Sequence, residues 1–153
     1  MHDEQPDELA RRCAEVMWST DRASQELGMK LVEVRAGYAV LSMPIAATMV
    51  NGHDLCHGGF IATLADSAFA FACNSYDDVT VAAGFDITFV APGKLGDLLH
   101  AVASERTRAG RSGIYDVTVW RGYVPAADGA QDGERVAEFR GRSRSLGRRL
   151  LPR

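Results

Sequence analysis

The spacing of apolar residues along the chain changes from helical to strand-like, and one long uninterrupted apolar run stands between. From Pro6, the residues Leu9, Cys13, Val16 and Met17 recur at i, i+4, i+7 and i+8, which is one face of a helix. Pro6 suits the first turn, where the N–H that proline lacks has no intrahelical partner, and Asp7 and Glu8 lie near the positive end of the helix. Thr20 or Asp21 caps a second short helix that stops at Gly28.

After Met29 the period becomes that of strands. Leu31 to Arg35 and Tyr38 to Met43 form a hairpin turning at Ala36-Gly37, with Pro44 closing it. The segment from Ala46 to Cys56 shows no period and carries the turn signal Asn51-Gly52. From Gly58-Gly59 a nearly all-apolar run reads as a helix of about 15 residues, too short and too polar at its centre to span a membrane.

Four strands follow: Val79 to Ala91, Asp97 to Arg108, Ser112 to Arg121 and Val136 to Leu146. Pro92-Gly93 and Ala109-Gly110 mark turns between them, and VPAADGAQDGE, Val124 to Glu134, reads as a mobile loop. In the third strand Tyr115, Val117 and Val119 share a face opposite Asp116 and Thr118. In the last, Arg140, Arg142 and Arg144 oppose Ala137, Phe139 and Gly141, and the Arg-rich tail frays beyond. Short turns between consecutive strands imply an antiparallel sheet. One apolar helix among this many strands implies an α+β fold, the sheet curling over the helix.

Composition narrows the class. A chain of 153 residues fits one domain, and 46% hydrophobic with 24% charged residues is ordinary for a globular protein. The net charge of −3 supplies no basic excess to displace counterions from phosphates, which argues against nucleic acid. Cys13, Cys56 and Cys73 are an odd number without framework spacing, and the acidic N-terminus has no apolar signal segment. A cytoplasmic protein with reduced thiols is expected.

Two features carry chemistry. His57-Gly58-Gly59 stands where a helix begins, so its N–H groups have no intrahelical acceptor and the helix dipole adds positive charge. Such a turn can stabilise a carbonyl oxygen on which charge grows. The alternative is that glycine gives clearance for close packing.

The second feature is Asp66, alone among Ala62, Thr63, Phe69 and Ala70 at helical neighbour positions. Burial raises a carboxyl pKa unless donors are found, and only Thr63 can donate locally. A general base or nucleophile in an apolar pocket fits this pattern; a structural Asp bonded to a loop is the alternative.

Gly59 and Asp66 are seven residues apart, so they share a helix face about 10 Å apart along the axis. A reacting carbonyl needs contacts of roughly 3 Å to both groups. A dimer in which one chain's glycine turn faces the other's Asp66 closes that gap.

Other candidates are weaker. His53, Cys56 and His57 lack the ligand spacing of a metal site, so no metal is expected. Nothing in the sequence lowers the Cys56 thiol pKa. Phe60, Phe69 or Tyr76 can line an apolar slot, and Arg108 or Arg111 can meet the phosphates of a large cofactor-like substrate.

The stretch NGHDLCHGG followed by LADSAFAFACNS resembles the hotdog-fold acyl-CoA thioesterases of phenylacetate degradation, the PaaI type. DITFVAPGKLGD, GRSGIYDVTV and VAEFRGRSRSLG extend the resemblance from about Met29 to Gly147. It divides the chain into an N-terminal helical segment (1–28), a hotdog thioesterase domain (29–147) and a tail (148–153). It implies a curved antiparallel sheet of five to six strands around a central helix, and dimers with shared active sites that pair into tetramers.

By the same resemblance Asp66 is base or nucleophile on the thioester, Gly58 supplies the oxyanion N–H, and His57 shapes that turn. Asn51 and Ser67, by the resemblance, position substrate or water; Gly59, Phe60, Arg108 and Arg111 are the residues expected, apart from it, to contact substrate. The expected substrates are acyl-CoA thioesters, aryl-acyl groups such as hydroxyphenylacetyl among them, with no cofactor beyond the CoA of the substrate. The stretch Val124 to Glu134 is an insertion relative to the family. Two rivals remain, a non-catalytic acyl-CoA binder and a hydratase or dehydratase of acyl thioesters, and Asp66 counts against the first.

Overall fold

The computed structural model describes residues 3–125 and 131–153. Helix α1 (Pro6–Thr20) has Pro6 in its first turn and Asp7 and Glu8 behind it, as the sequence implies. Its buried face is turned slightly from the expected one: Ala10, Cys13 and Ala14 are buried, while Leu9, Val16 and Met17 are partly covered. Small residues let the helix lie close to the core it joins. Asp21 caps α2 (Arg22–Glu26), accepting from the Ser24 N–H at 3.1 Å.

Strands β1 (Lys30–Arg35) and β2 (Tyr38–Pro44) form the expected hairpin. A 3₁₀ turn (Ala47–Met49) and an irregular loop lead into α3 (Gly58–Cys73). Then come β3 (Thr80–Phe89), β4 (Leu98–Ala109), β5 (Ser112–Pro125) and β6 (Gln131–Ser145).

All six strands make one antiparallel sheet in the order β1-β2-β4-β5-β6-β3, and α3 packs against it. The turn at Pro92-Gly93 therefore does not join neighbours, contrary to the expectation from sequence. β3 pairs with β6 and lies at the far edge from β1. The connection spans three strand spacings, about 14 Å. Residues 90–97 can cover that, since eight extended residues reach roughly 26 Å.

Val124 and Pro125 continue β5 and pair with Asp132 and Gln131 of β6. Both flanks of the stretch read as a loop are thus strand, and residues 126–130 lie outside the described residues.

The core lies between α3 and the sheet. Leu64, Ala65, Ala68, Phe69, Phe71 and Ala72 of α3 meet Leu41 and Met43 of β2, Tyr115, Val117 and Val119 of β5, and Phe139 of β6. Phe69 sits between Tyr115 and Phe139, with ring centroids 5.5 and 5.8 Å away. On the outer face Arg140 pairs with Asp116 and Arg142 with Asp86, so two of the three arginines of the stripe are neutralised within the sheet. The C-terminal tail does not fray: Leu151 is buried, and the Leu150 and Leu151 N–H groups bond the Asp77 carboxylate.

Candidate active site

The glycine turn is held in place by backbone hydrogen bonds on both sides. The His57 N–H donates to Met49 O and the Cys56 N–H to Gly93 O, at 2.9 and 2.8 Å. The preceding loop is organised by Asn51, whose Oδ1 accepts from His53 N–H (2.9 Å) and Leu55 N–H (3.2 Å). The side-chain oxygen of Asn51 is thereby committed to the loop, and its amide NH₂ is left to face outward. His57 caps α3 through its extended backbone and makes no side-chain cap. Among the described residues, neither the Gly58 nor the Gly59 N–H meets an acceptor.

The two glycines have different reasons to be glycine. Neither has a left-handed backbone. A Cβ on Gly58 would stand 2.7 Å from Phe89 Cζ, so a side chain there fits only if the exposed Phe89 ring moves. A Cβ on Gly59 would meet nothing within 4 Å. Clearance, the alternative weighed from sequence, is real at Gly58, while Gly59 borders open space.

Asp66 lies on the less covered stripe of α3, with Ala62, Thr63, Ser67 and Ala70. Its carboxylate has no hydrogen-bond or salt-bridge partner among the described residues. Thr63, the local donor expected from sequence, gives its hydroxyl to Gly59 O at 2.8 Å instead. Desolvation without compensation pushes the Asp66 carboxyl above its ordinary range, as expected for a buried acid without donors.

Ser67 is tied from behind. Its hydroxyl lies 2.8 Å from that of Ser24, which donates to Asp21 Oδ2 at 2.7 Å. Ser24 has one hydroxyl proton and spends it on the carboxylate, so Ser67 donates to Ser24 and offers only lone pairs elsewhere. The Asp21–Ser24 support is missing from a reading of the sequence because Ser24 and Ser67 are 43 residues apart.

Asp66 opens onto a cavity of about 370 Å³. It is lined by Asp66, Phe69, Ala70 and Cys73 of α3, by Asn74 just after it, and by Met17, residues 79–82 and Leu150. No residue from Asn51 to Phe60 lines it. Within one chain, then, the donor turn and the acid do not share a cavity.

The remaining sequence candidates fall elsewhere. Phe60 is partly buried against the core beside the glycine turn, and Phe69 is a core residue whose edge reaches the cavity. Tyr76 does not line it: its hydroxyl donates to Glu105 (3.1 Å) and its ring lies 3.5 Å under the Arg108 guanidinium. Arg108 also pairs with Glu105. Arg108 and Arg111 line a cleft of about 30 Å³ with Tyr76 at the β4–β5 turn, away from Gly58.

Burial raises the Cys56 thiol pKa, which weakens it as a nucleophile. Among the described residues no group of three or more His, Cys, Asp and Glu side chains gathers to hold a metal. No helix among them is long and apolar enough to cross a membrane.

Comparison with known proteins shows which family the chain resembles. Residues 53–123 match the family model described as thioesterase superfamily. The acyl-coenzyme A thioesterase PaaI of Escherichia coli K12 is 38% identical over 134 residues, 88% of this chain and 89% of that one. The structure of the E. coli PaaI protein from the phenylacetic acid degradation operon superposes with a TM-score of 0.87 at 35% identity, covering 95% of this chain and 99% of that one. A mutant of the phenylacetic acid degradation protein PaaI from Thermus thermophilus gives 0.72 at 31% identity, over 82% and 100% of the two chains.

Proposed function

The chain belongs to the thioesterase superfamily, among its PaaI-type hotdog acyl-CoA thioesterases, and on that footing we propose how it hydrolyses an acyl-CoA thioester and which acyl groups it takes. The observation that carries the reading is an unpaired, desolvated Asp66 on the wall of a mostly apolar cavity. A non-catalytic binder has no use for such a group, whose burial works against folding.

The thioester carbonyl rests with its oxygen at the Gly58 N–H, flanked by Gly59, where no side chain blocks approach. His57 holds the turn through its backbone, and the Asn51 amide and the Ser67 lone pairs orient water. Ionised Asp66 attacks the carbonyl carbon, or takes a proton from the attacking water. In either route the C–S bond breaks and CoA leaves as the thiolate; direct attack leaves a mixed anhydride on Asp66 that water hydrolyses, whereas in the general-base route water adds to the carbonyl itself, and of the water's two protons one stays with the acid and the other passes to the CoA sulfur. No metal or organic cofactor takes part.

An aryl-acyl group such as phenylacetyl fits the cavity by size. A volume of roughly 150 Å³ is enough to hold benzene, and this one is more than twice that. Arg111 has no carboxylate partner among the described residues and remains the better of the two arginines for a CoA phosphate; Arg108 is engaged by Glu105 and Tyr76.

Because donor turn and acid lie apart, the working unit is a homodimer with each site shared between subunits. The edge strand β3 favours such pairing, with Val81, Phe85 and Phe89 exposed along it. Dimers pair further into a tetramer; Val40, Val102 and Trp120 on the sheet's outer face are already covered within the chain by Tyr38 and Tyr123 and offer no contact for it. We place the enzyme in the cytoplasm, where its three cysteines stay as thiols.

The test is a panel of acyl-CoA esters assayed for thiol release, with wild type beside Asp66→Asn. The expected result is fastest turnover of aryl-acyl esters and a loss on the order of 10³-fold or more in the variant. Equal turnover by the two proteins overturns the role of Asp66, and a preference for straight-chain acyl groups overturns the aryl assignment.

A further inference from the structure

The end of the Asp66 cavity nearest the C-terminus of α3 is lined by a segment that the reaction itself does not use. The cavity-lining residues of α3 run from Asp66 to Cys73, seven positions or about 10 Å along the helix. Asp66 stands at one end. At the other, Leu150 projects from the C-terminal tail beside Val79 and Val81.

The tail is fastened there by a set of hydrogen bonds to the turn after α3. Leu146 N–H donates to Val79 O at 2.8 Å, and Val79 N–H to Arg148 O at 2.9 Å. Ser145 Oγ donates to Asp78 Oδ2 at 2.6 Å. Asp77 binds the next three residues at once: Arg149 Nε at 2.7 Å, Leu150 N–H at 3.1 Å and Leu151 N–H at 2.7 Å. Asp77 itself has φ of 57°, a left-handed conformation that Asp tolerates better than most residues. Leu151 is buried and anchors the tail, whereas Leu150 is only half-buried and turns toward the cavity.

We propose that this clamped tail is the end wall of the acyl chamber, with Leu150 as the residue that limits acyl length and Asp77 as the residue that positions it. The inference rests on the acyl-CoA reading above, since it takes the cavity beside Asp66 as the acyl site. An acyl group whose carbonyl lies at Asp66 extends along α3 and meets the Leu150 side chain at its distal end. A half-buried wall residue can change size without opening the core, so selectivity can shift while the fold stands.

The experiment compares kcat/KM for phenylacetyl-CoA, 4-phenylbutyryl-CoA and 8-phenyloctanoyl-CoA in wild type, Leu150→Ala, Leu150→Phe, Asp77→Ala and Asp77→Asn. Leu150→Ala is expected to raise the long-to-short ratio about 10-fold or more, the scale set by a few methylenes in an apolar pocket. Leu150→Phe is expected to lower it, and this variant keeps the inference testable should the alanine protein fail to fold. Asp77→Ala is expected to move the ratio in the direction of Leu150→Ala, mainly through KM. Asp77→Asn keeps an acceptor oxygen and is expected to restore the wild-type ratio. Identical ratios in wild type and both Leu150 variants overturn the end-wall role. Absence of thiol release from every ester by the wild type overturns the acyl-CoA reading and the chamber with it.

Discussion

At Asp66 the cost of placing a carboxyl among apolar groups is met by nothing local, because Thr63 turns to Gly59 O. A carboxyl whose folded pKa is raised binds its proton more tightly in the native state. Its effect on stability is therefore unfavourable once pH rises from the unfolded carboxyl value, about 3.9, through the higher folded value. Asp66→Asn is expected to raise the melting temperature at neutral pH and to lose that advantage in acid; a melting temperature below wild type at pH 7 counts against it. Catalysis needs the ionised form, so the acidic limb of the kcat/KM profile should lie above the ordinary carboxyl range. Ser67 is a different case. Its proton goes to Ser24, so Ser67→Ala should lower stability by about 1 kcal/mol, the net worth of one hydrogen bond, as read by urea unfolding. An unchanged midpoint would show that the Ser67–Ser24–Asp21 chain does not form. The lone acid was legible in the sequence because its neighbours at helical spacing are apolar or small. Its half-open setting was not, since it depends on which stripe of α3 faces the sheet.

Among the elements, β3 has the most bearing on the site. Its end residue Phe89 occupies the space a Gly58 side chain would need. Gly58→Ala should push the ring or the helix start away and displace the donor N–H, with a loss of roughly 100-fold in kcat, the scale of one oxyanion donor. Gly59→Ala meets open space, so its effect should fall on KM as the methyl obstructs the substrate. Equal kcat losses in both variants would show that Phe89 is not what distinguishes them. Strand periods and the glycine turn identified most of these elements, and the antiparallel pairing followed from the turns. The position of β3 did not, because periodicity says which face a strand buries and not which neighbour it takes. Pro92-Gly93 reads like a hairpin turn, yet it opens a crossing beneath the sheet's end. The clamp on the tail was hidden for a related reason: Asp77 is an ordinary loop acid until its partners, more than 70 residues away, are known.

At the scale of the whole molecule the fold supplies a cavity beside Asp66, a glycine turn outside it and an edge strand, β3, with exposed apolar residues. Replacing Phe85, exposed on β3, with Lys is expected to shift the mass in solution toward the monomer and to lower activity in parallel. A monomer that keeps full turnover would overturn the shared site. The separation of the glycine turn from the Asp66 cavity also has a genetic consequence. In the proposed dimer, a subunit lacking the acid and a subunit with a displaced turn are defective in different halves of different sites. When Asp66→Asn and Gly58→Ala chains are mixed and allowed to exchange, each hybrid dimer carries one site with both halves intact and one with neither. With random pairing, about a quarter of wild-type activity should return from two nearly inactive proteins. Two defective alleles would then complement each other within a single enzyme.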